Sequence, residues 1–198
     1  MKYIKPLVGV TVFLWLLLAL AYPLGMTGIS QLVFPYQANG SPVTLNGRVV
    51  ASAIVGQYFN QKGYFWGRPS DTVNAVTGKP QPYNAANSGS SNLGPTNKVL
   101  VHRIEARIAH LQQTNPGLTV SQIPPDLVEG SGSGLDPDIS PQAALIQIPR
   151  VAKATGLSPA YLRALVHQAT TGPQWGLFGR RVVNVTTLNI DIYQAKHG

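Results

Sequence analysis

Leu7–Met26 reads LVGVTVFLWLLLALAYPLGM, and no acidic or basic side chain lies anywhere between Lys5 and Arg48. At about 1.5 Å per residue, a helix over this stretch spans roughly 30 Å, the hydrocarbon thickness of a bilayer. A helix buried in a soluble core seldom stays apolar on every face beyond about 10–14 residues. The stretch therefore reads as a membrane anchor marked by Leu7, Gly9, Trp15, Ala19, Ala21 and Met26. Gly9, Ala19 and Ala21 are small enough to let neighbouring helices come close. A secretory signal peptide competes with this reading, with Lys2 and Lys5 as its basic start and Ala19-Leu20-Ala21 as its cleavage site. Apolar residues continue past Ala21 to Met26, and Leu32, Val33 and Phe34 follow, which favours an uncleaved anchor. Both readings give one topology: Lys2 and Lys5 keep the short N-terminus in the cytoplasm, and the rest lies outside.

Composition agrees with a chain that does not live free in the cytosol. Only 11% of the 198 residues are charged, against about 25% in an ordinary soluble domain. Lys2 and Lys5 are the only charges before Arg48, so the anchor does not account for the deficit. The net charge is +8, but the basic residues are scattered, and Arg180-Arg181 is their only adjacent pair. That pattern, on an external domain, does not describe a nucleic-acid binder. Anionic headgroups of membrane lipid or an acidic partner suit it better, and a merely solvated surface suits it better than either. There is no cysteine, which excludes disulfides, thiolate metal sites and a cysteine nucleophile.

The expected organisation is a tip and anchor over residues 1–34, a connector over 35–47, and an extracytoplasmic α+β domain with a small sheet over 48–198. The connector carries Asn39-Gly40 and Asn46-Gly47, both turn formers. Arg48–Gln57 and Gly63–Arg68 are rich in β-branched and aromatic residues and read as strands. Asp71–Pro95 has no apolar period and reads as a long loop of a kind that is usually functional or mobile. Leu100, Ile104, Ile108 and Leu111 then recur at helical spacing behind a cap at Thr96 or Asn97, with a stop at Asn115-Pro116-Gly117. Ser140-Pro141 and Ser158-Pro159 each begin a further helix, the first kinked or ended by Pro149. Arg181–Val185 reads as a strand. The segment after it fits either a helix, through Val185, Leu188, Ile192 and Ala195, or a strand, through Leu188, Ile190 and Ile192.

Self-sufficient chemistry is hard to find. Gly130–Gly134 (GSGSG) lacks the lysine and hydroxyl of a phosphate loop, and reads as a turn before a helix. Asp136 and Asp138 lack the glycine and glutamate of a calcium loop; their charge suits the positive end of the helix at Ser140. His102 and His110 lie two helical turns apart, too far to share a metal ion. No G-x-S-x-G or H-E-x-x-H pattern appears. Tyr64, Phe65 and Trp66 read as core aromatics before ligand stackers. The expectation is no catalytic residue, no metal and no cofactor bound by the chain alone.

Six strings occur in order: Gln37–Ser41 (QANGS), Gly63–Ser70 (GYFWGRPS), Tyr83–Leu93 (YNAANSGSSNL), Ser133–Pro141 (SGLDPDISP), Gln147–Ala152 (QIPRVA) and Val183–Leu188 (VNVTTL). With the single apolar segment before them, they closely resemble the C subunit of the Kdp-type potassium-transporting P-type ATPase, from about Leu7 to the C-terminus. Gly89-Ser90 stands where that family usually has Gly-Gly. The resemblance implies a non-catalytic, single-span accessory subunit in the cell (inner) membrane. Its implied partners are a channel-like potassium-selective subunit, a P-type ATP-hydrolysing subunit and a small peptide subunit. It further implies a part in assembly and a chaperone effect that raises the pump subunit's affinity for ATP. An external domain can exert that effect only indirectly. On this reading Gly67, Arg68, Pro69, Ser70, Asn87, Ser88, Gly89 and Asn92 are partner-contact candidates. Were the domain cytoplasmic, Ser90, Ser91, Ser131, Gly132, Ser133 and Gly134 would lie nearest nucleotide. An anchored or secreted small-ligand-binding protein using the Asp71–Pro95 loop is the alternative. A hydrolase with a dispersed triad is a third reading.

Overall fold

The computed structural model describes residues 3–197, and the chain divides into two units that meet in sequence between Pro42 and Val43. The first holds α1 (Ile4–Leu16), a π-helical turn (Leu17–Ala21) and α2 (Tyr22–Val33), continuous as a helix of 30 residues with nothing buried. The helix is thus longer than the span read from the sequence. Pro23 has no N–H to give to the turn before it, and the widened turn is closed instead by Tyr22 N donating to Leu17 O. Lys2, one of the two charges behind the expected orientation, lies outside the described residues.

Three expectations for the next residues need correction. The connector is more ordered than a run of turns: it holds α3 (Pro35–Ala38) and β1 (Pro42–Leu45). Asn46 and Gly47 both have positive φ, 50° and 75°, and turn β1 into β2 (Arg48–Ser52) as a hairpin. The strand expected to reach Gln57 therefore stops at Ser52. Gly63–Arg68 is the larger correction, because Gly63 and Tyr64 form a turn and a bend and the rest of the segment runs on without joining a sheet.

The second unit is α+β, as expected. Its helices are α4 (Lys98–Thr114), α5 (Pro141–Leu145), α6 (Ile148–Thr155), α7 (Pro159–Gln168) and α8 (Val185–His197). A three-stranded antiparallel sheet sets β5 (Val182–Asn184) between β3 (Asp138–Ile139) and β4 (Thr170–Thr171), with Ile139 and Thr170 both opposite Val183. Asn97, Ser140 and Ser158 cap α4, α5 and α7 with their side-chain oxygens. Pro149 does not kink a long helix. It lies in the first turn of α6, where a missing N–H costs nothing. The C-terminal ambiguity resolves as helix, with Val185, Leu188 and Ile192 all buried on one face of α8.

The core joins these helices to the sheet through Phe65, Ile139, Val151, Leu162, Val183 and Leu188, each at most 2% exposed. Phe65 enters this core from the chain that lacks a sheet. Its backbone N–H donates to Asn189 Oδ1 at 2.8 Å and its carbonyl accepts from Asn189 Nδ2 at 2.8 Å. Trp66 repeats the arrangement with Gln147: its N–H donates to Oε1 at 2.8 Å, and its carbonyl accepts from Nε2 at 3.1 Å. Arg150 then donates to the carbonyls of Lys62 and Tyr64, at 2.6 and 2.9 Å, and to Gln147 Oε1. Three side chains do the work of a neighbouring strand.

Removing one of them leaves buried backbone polar groups unpaired, at about 1–3 kcal/mol each. Asn189→Ala is expected to lose about 3 kcal/mol or more of stability in chemical denaturation of the full chain. An exposed amide in a helix gives the reference: Gln113→Ala in α4 should change stability by less than about 0.5 kcal/mol.

Candidate functional site

Beyond Trp66 the clamped chain delivers Gly67, Arg68, Pro69 and Ser70 to the edge of a cleft. Gly67 has no room for a side chain, since a Cβ there would come within 2.6 Å of the Tyr83 hydroxyl. That hydroxyl donates to Arg68 O at 2.7 Å. The Arg68 guanidinium reaches across to Asp136 Oδ2 at 3.1 Å and Gly130 O at 3.2 Å. Ser70 Oγ accepts from Tyr83 N at 2.8 Å and donates to Gly134 O at 2.7 Å. Arg68 and Ser70 thus face inward, and their bonds join the long Asp71–Pro95 loop to the glycine-serine loop.

The same two loops meet again further along. Gly89 N donates to Ser133 O at 2.9 Å, and Ser88 Oγ donates to that carbonyl at 3.0 Å. Asn87 Nδ2 closes the long loop on itself through Val73 O at 2.8 Å. Gly134 lies in the seam with φ +67°, and a Cβ on it would collide with Thr72 Cγ2 and with Gly89 O. Ser131 is 3% exposed, with its Oγ accepting from Gly134 N at 2.8 Å. The GSGSG run is therefore a packed joint. From the helical side, Arg107 and Arg103 of α4 pair with Asp71 Oδ1 at 2.9 and 3.3 Å. The partner-contact candidates and the nucleotide-proximal candidates, far apart in sequence, come together in one assembly of loops. Within it Ser88, Asn92, Gly132 and Ser133 are exposed, whereas Ser90 and Ser91 are half-buried and Ser90 Oγ donates to Asn92 Oδ1.

Beside this seam opens a cleft of about 370 Å³, lined by Tyr58, Trp66, Arg68, Tyr83, Arg107 and His110 among others. His110 is not idle on the exposed side of α4. Its ring stacks on Trp66 with centroids 5.2 Å apart, and Arg150 lies 3.9 Å from the Trp66 ring centre. Burial pulls the Arg150 guanidinium down to about 10, which leaves it charged at neutral pH. Burial, helped by Asp136, pushes the Tyr83 phenol far above its ordinary value despite Arg68, so it stays a neutral donor. Among the described residues no cluster of three His, Cys, Asp or Glu is placed to hold a metal ion.

The helix at Ser140 does meet a carboxylate, but not from the expected aspartates. Asp126, 7% exposed, accepts from Ser140 N and Ser140 Oγ at 2.5 and 3.2 Å. Asp136 instead accepts from Asp138 N and holds Arg68.

The model of the family described as KdpC, K+-transporting ATPase, c chain, matches residues 4–194. The chain belongs to the KdpC family. It is similar to the potassium-transporting ATPase KdpC subunit of Burkholderia cenocepacia, 50% identical over 98% of both chains. The KdpC subunit of Rhodopseudomonas palustris BisB18 is 48% identical, over 99% of this chain and all of its own. That of Methylorubrum populi is 47% identical, over 97% of this chain and 96% of its own. The family places this chain with membrane-associated Kdp subunits, in keeping with the one helix among the described residues that is long and apolar enough to cross a membrane.

Several residues that hold the site of this KdpC chain together were not singled out from sequence. Gln147 and Arg150 stand inside QIPRVA, where a polar residue every third place marks two positions facing one way on a helix. Tyr83 opens YNAANSGSSNL, and its burial had no sequence signal.

Gly134→Ala should cost about 2 kcal/mol or more, because it adds left-handed strain to a collision. Hydrogen exchange should then speed up over residues 71–95 as well as 130–136. Asp138 gives a pH test. Burial and the neighbouring Asp136 raise its pKa in the folded chain, so its charged form opposes folding. That penalty is complete above the folded pKa and vanishes below the unfolded one, about 3.9. Asp138→Asn should therefore stabilise the chain at pH 7, with the gain fading as pH falls towards 4.

Proposed function

We propose that this chain is the non-catalytic accessory subunit of an ATP-driven potassium-uptake assembly, held in the cell membrane by its N-terminal helix. The observation that carries the reading is the family match, which runs from residue 4 in that helix to residue 194 in the last helix of the α+β unit. Its partners on this reading are a channel-like potassium-selective subunit, a P-type ATP-hydrolysing subunit and a small peptide subunit. The N-terminus is cytoplasmic and the α+β unit extracytoplasmic, on the strength of Lys2 and Lys5, which stand before the apolar stretch in sequence, Lys5 within the first turn of the helix.

The unit acts in assembly, and any gain in the pump subunit's affinity for ATP reaches it through the anchor or through external loops of the partners. The joint between the two loops supports an indirect route. The carbonyl of Ser133 is taken by Gly89 and Ser88, and the N–H of Gly134 by Ser131. A phosphate cradle needs such amides free and converging on one point. On this reading ATP is no cofactor of this chain, and the seam presents a shaped surface to protein. Asn92 and Ser88, exposed on that seam, are its proposed contact residues. Arg68 and Ser70 hold the seam in shape.

Sidedness and association test this together. A tag after Gly198 should be digested by protease in intact spheroplasts and survive in inverted vesicles, and pump subunits should co-purify with the tagged chain. A tag protected in spheroplasts would overturn the topology and return Ser90, Ser91 and Ser131–Gly134 to consideration as nucleotide neighbours. Recovery of the chain without any pump subunit from a functional uptake strain would overturn the accessory role.

A further inference from the structure

Between β4 and β5 the chain turns through Gly172–Arg181, GPQWGLFGRR. The register of the flanking strands, Thr171 opposite Val182, makes this the tip of a β-hairpin. Hairpin tips are normally built from small polar residues. This one carries Trp175 at 87%, Leu177 at 80% and Phe178 at 61% exposure. Its shape is fixed by its own backbone. Gln174 N donates to Phe178 O at 2.8 Å, Phe178 N to Gln174 O at 3.0 Å, and Gly176 N to Pro173 O at 3.0 Å. Trp175 has φ +52°, a conformation that disfavours a bulky side chain and here turns a tryptophan outward. The rings of Trp175 and Phe178 meet edge to face, with centroids 6.0 Å apart. Arg180 and Arg181 follow directly, both exposed, and no acidic residue lies between Thr170 and Val185 in sequence, although Arg180 also borders a small cavity with Asp136 and Asp138.

We propose that this hairpin tip is a second membrane contact, inserting Trp175, Leu177 and Phe178 at the level of the lipid headgroups while Arg180 and Arg181 pair with anionic phosphates. Three observations select lipid as the occupant. The tip is a convex apolar knob, the form that buries in the loosely packed boundary between headgroups and acyl chains. Tryptophan is the side chain most at home at that depth. The two arginines supply the charge that draws a surface to anionic lipid. The tether then raises the local concentration of membrane. The chain between Val33 and Val43 reaches at most roughly 35 Å when fully extended, so insertion is an intramolecular event. The inference rests on the anchored reading of residues 4–33 and is indifferent to which side the α+β unit occupies.

The chain has no cysteine, so a nitroxide can be placed at one site at a time. The full-length chain is labelled at Leu177→Cys, at Leu14→Cys in the anchor, and at Val76→Cys, which is 94% exposed. Each variant is put into nanodiscs of phosphatidylcholine and phosphatidylglycerol. Relaxation by oxygen, which dissolves in lipid, is compared with relaxation by a nickel chelate, which stays in water. Leu177 should favour oxygen, less strongly than Leu14, at a depth of about 5–10 Å, whereas Val76 should favour nickel. Adding Arg180→Gln and Arg181→Gln should cut the Leu177 contrast several-fold in anionic nanodiscs and little in pure phosphatidylcholine. A Leu177 label that behaves like Val76 overturns the proposal. So does one shielded from both reagents, which would give the tip a protein partner. A nickel-accessible Leu14 label would sink the anchor, and the tether with it, whatever Leu177 reports.

Discussion

Two buried carboxamides, Gln147 and Asn189, hold the backbone of Phe65 and Trp66 in the way a neighbouring strand would. Everything at the seam and the cleft hangs from that pairing. A side-chain amide carries a donor and an acceptor at the spacing of a peptide group, so one Asn or Gln can satisfy both polar groups of an extended residue. Phe65 can then be buried completely without a sheet beside it. Arg150 extends the same device to Lys62 and Tyr64 and lays its charge near the Trp66 ring, a favourable place for a cation. The segment is fixed by α6 and α8, and Gly67–Ser70 leave it with their direction already set.

The division between what could and could not be read from the residues follows from the range of the forces involved. The apolar run, the caps at Asn97, Ser140 and Ser158, and the stripe Leu100–Leu111 are local patterns, and each produced the helix it announced. Gly63–Arg68 has strand composition but no strand, because its partners are side chains far away in the chain, which no window of neighbouring residues contains. Asp126 replaces Asp136 and Asp138 at the start of α5 for the same reason: a fold brings the nearest carboxylate from wherever it can. The candidate residues of the site fared in a similar way. Gly67–Ser70, Asn87–Asn92 and Ser131–Gly134 could be picked out by composition, yet their meeting at one seam could not, since the bonds that join them run between loops. The resemblance to the Kdp C subunit was legible because six short strings in order are specific even when their structural reason is hidden.

The anchor adds a feature of its own. A π-helical turn at Leu17–Ala21 inserts extra arc into the helix just before Pro23, and such turns shift the face that later residues present. With that one residue of extra arc, Gly9 and Gly28 lie about five whole turns apart and share a face of the helix. One side of the helix therefore carries small residues towards both of its ends, where another helix can approach closely.

The contact between Phe65 and Asn189 spans 124 positions of chain. A ribosome that has made the aromatic string GYFW must add nearly all of the remaining sequence before the residue that receives it exists. Contacts of such separation close late and slowly. The anchor, which needs only its own local hydrogen bonds, can be settled in lipid while the α+β unit is still an open chain. Order of birth is thereby built into the molecule: first the root, last the crown.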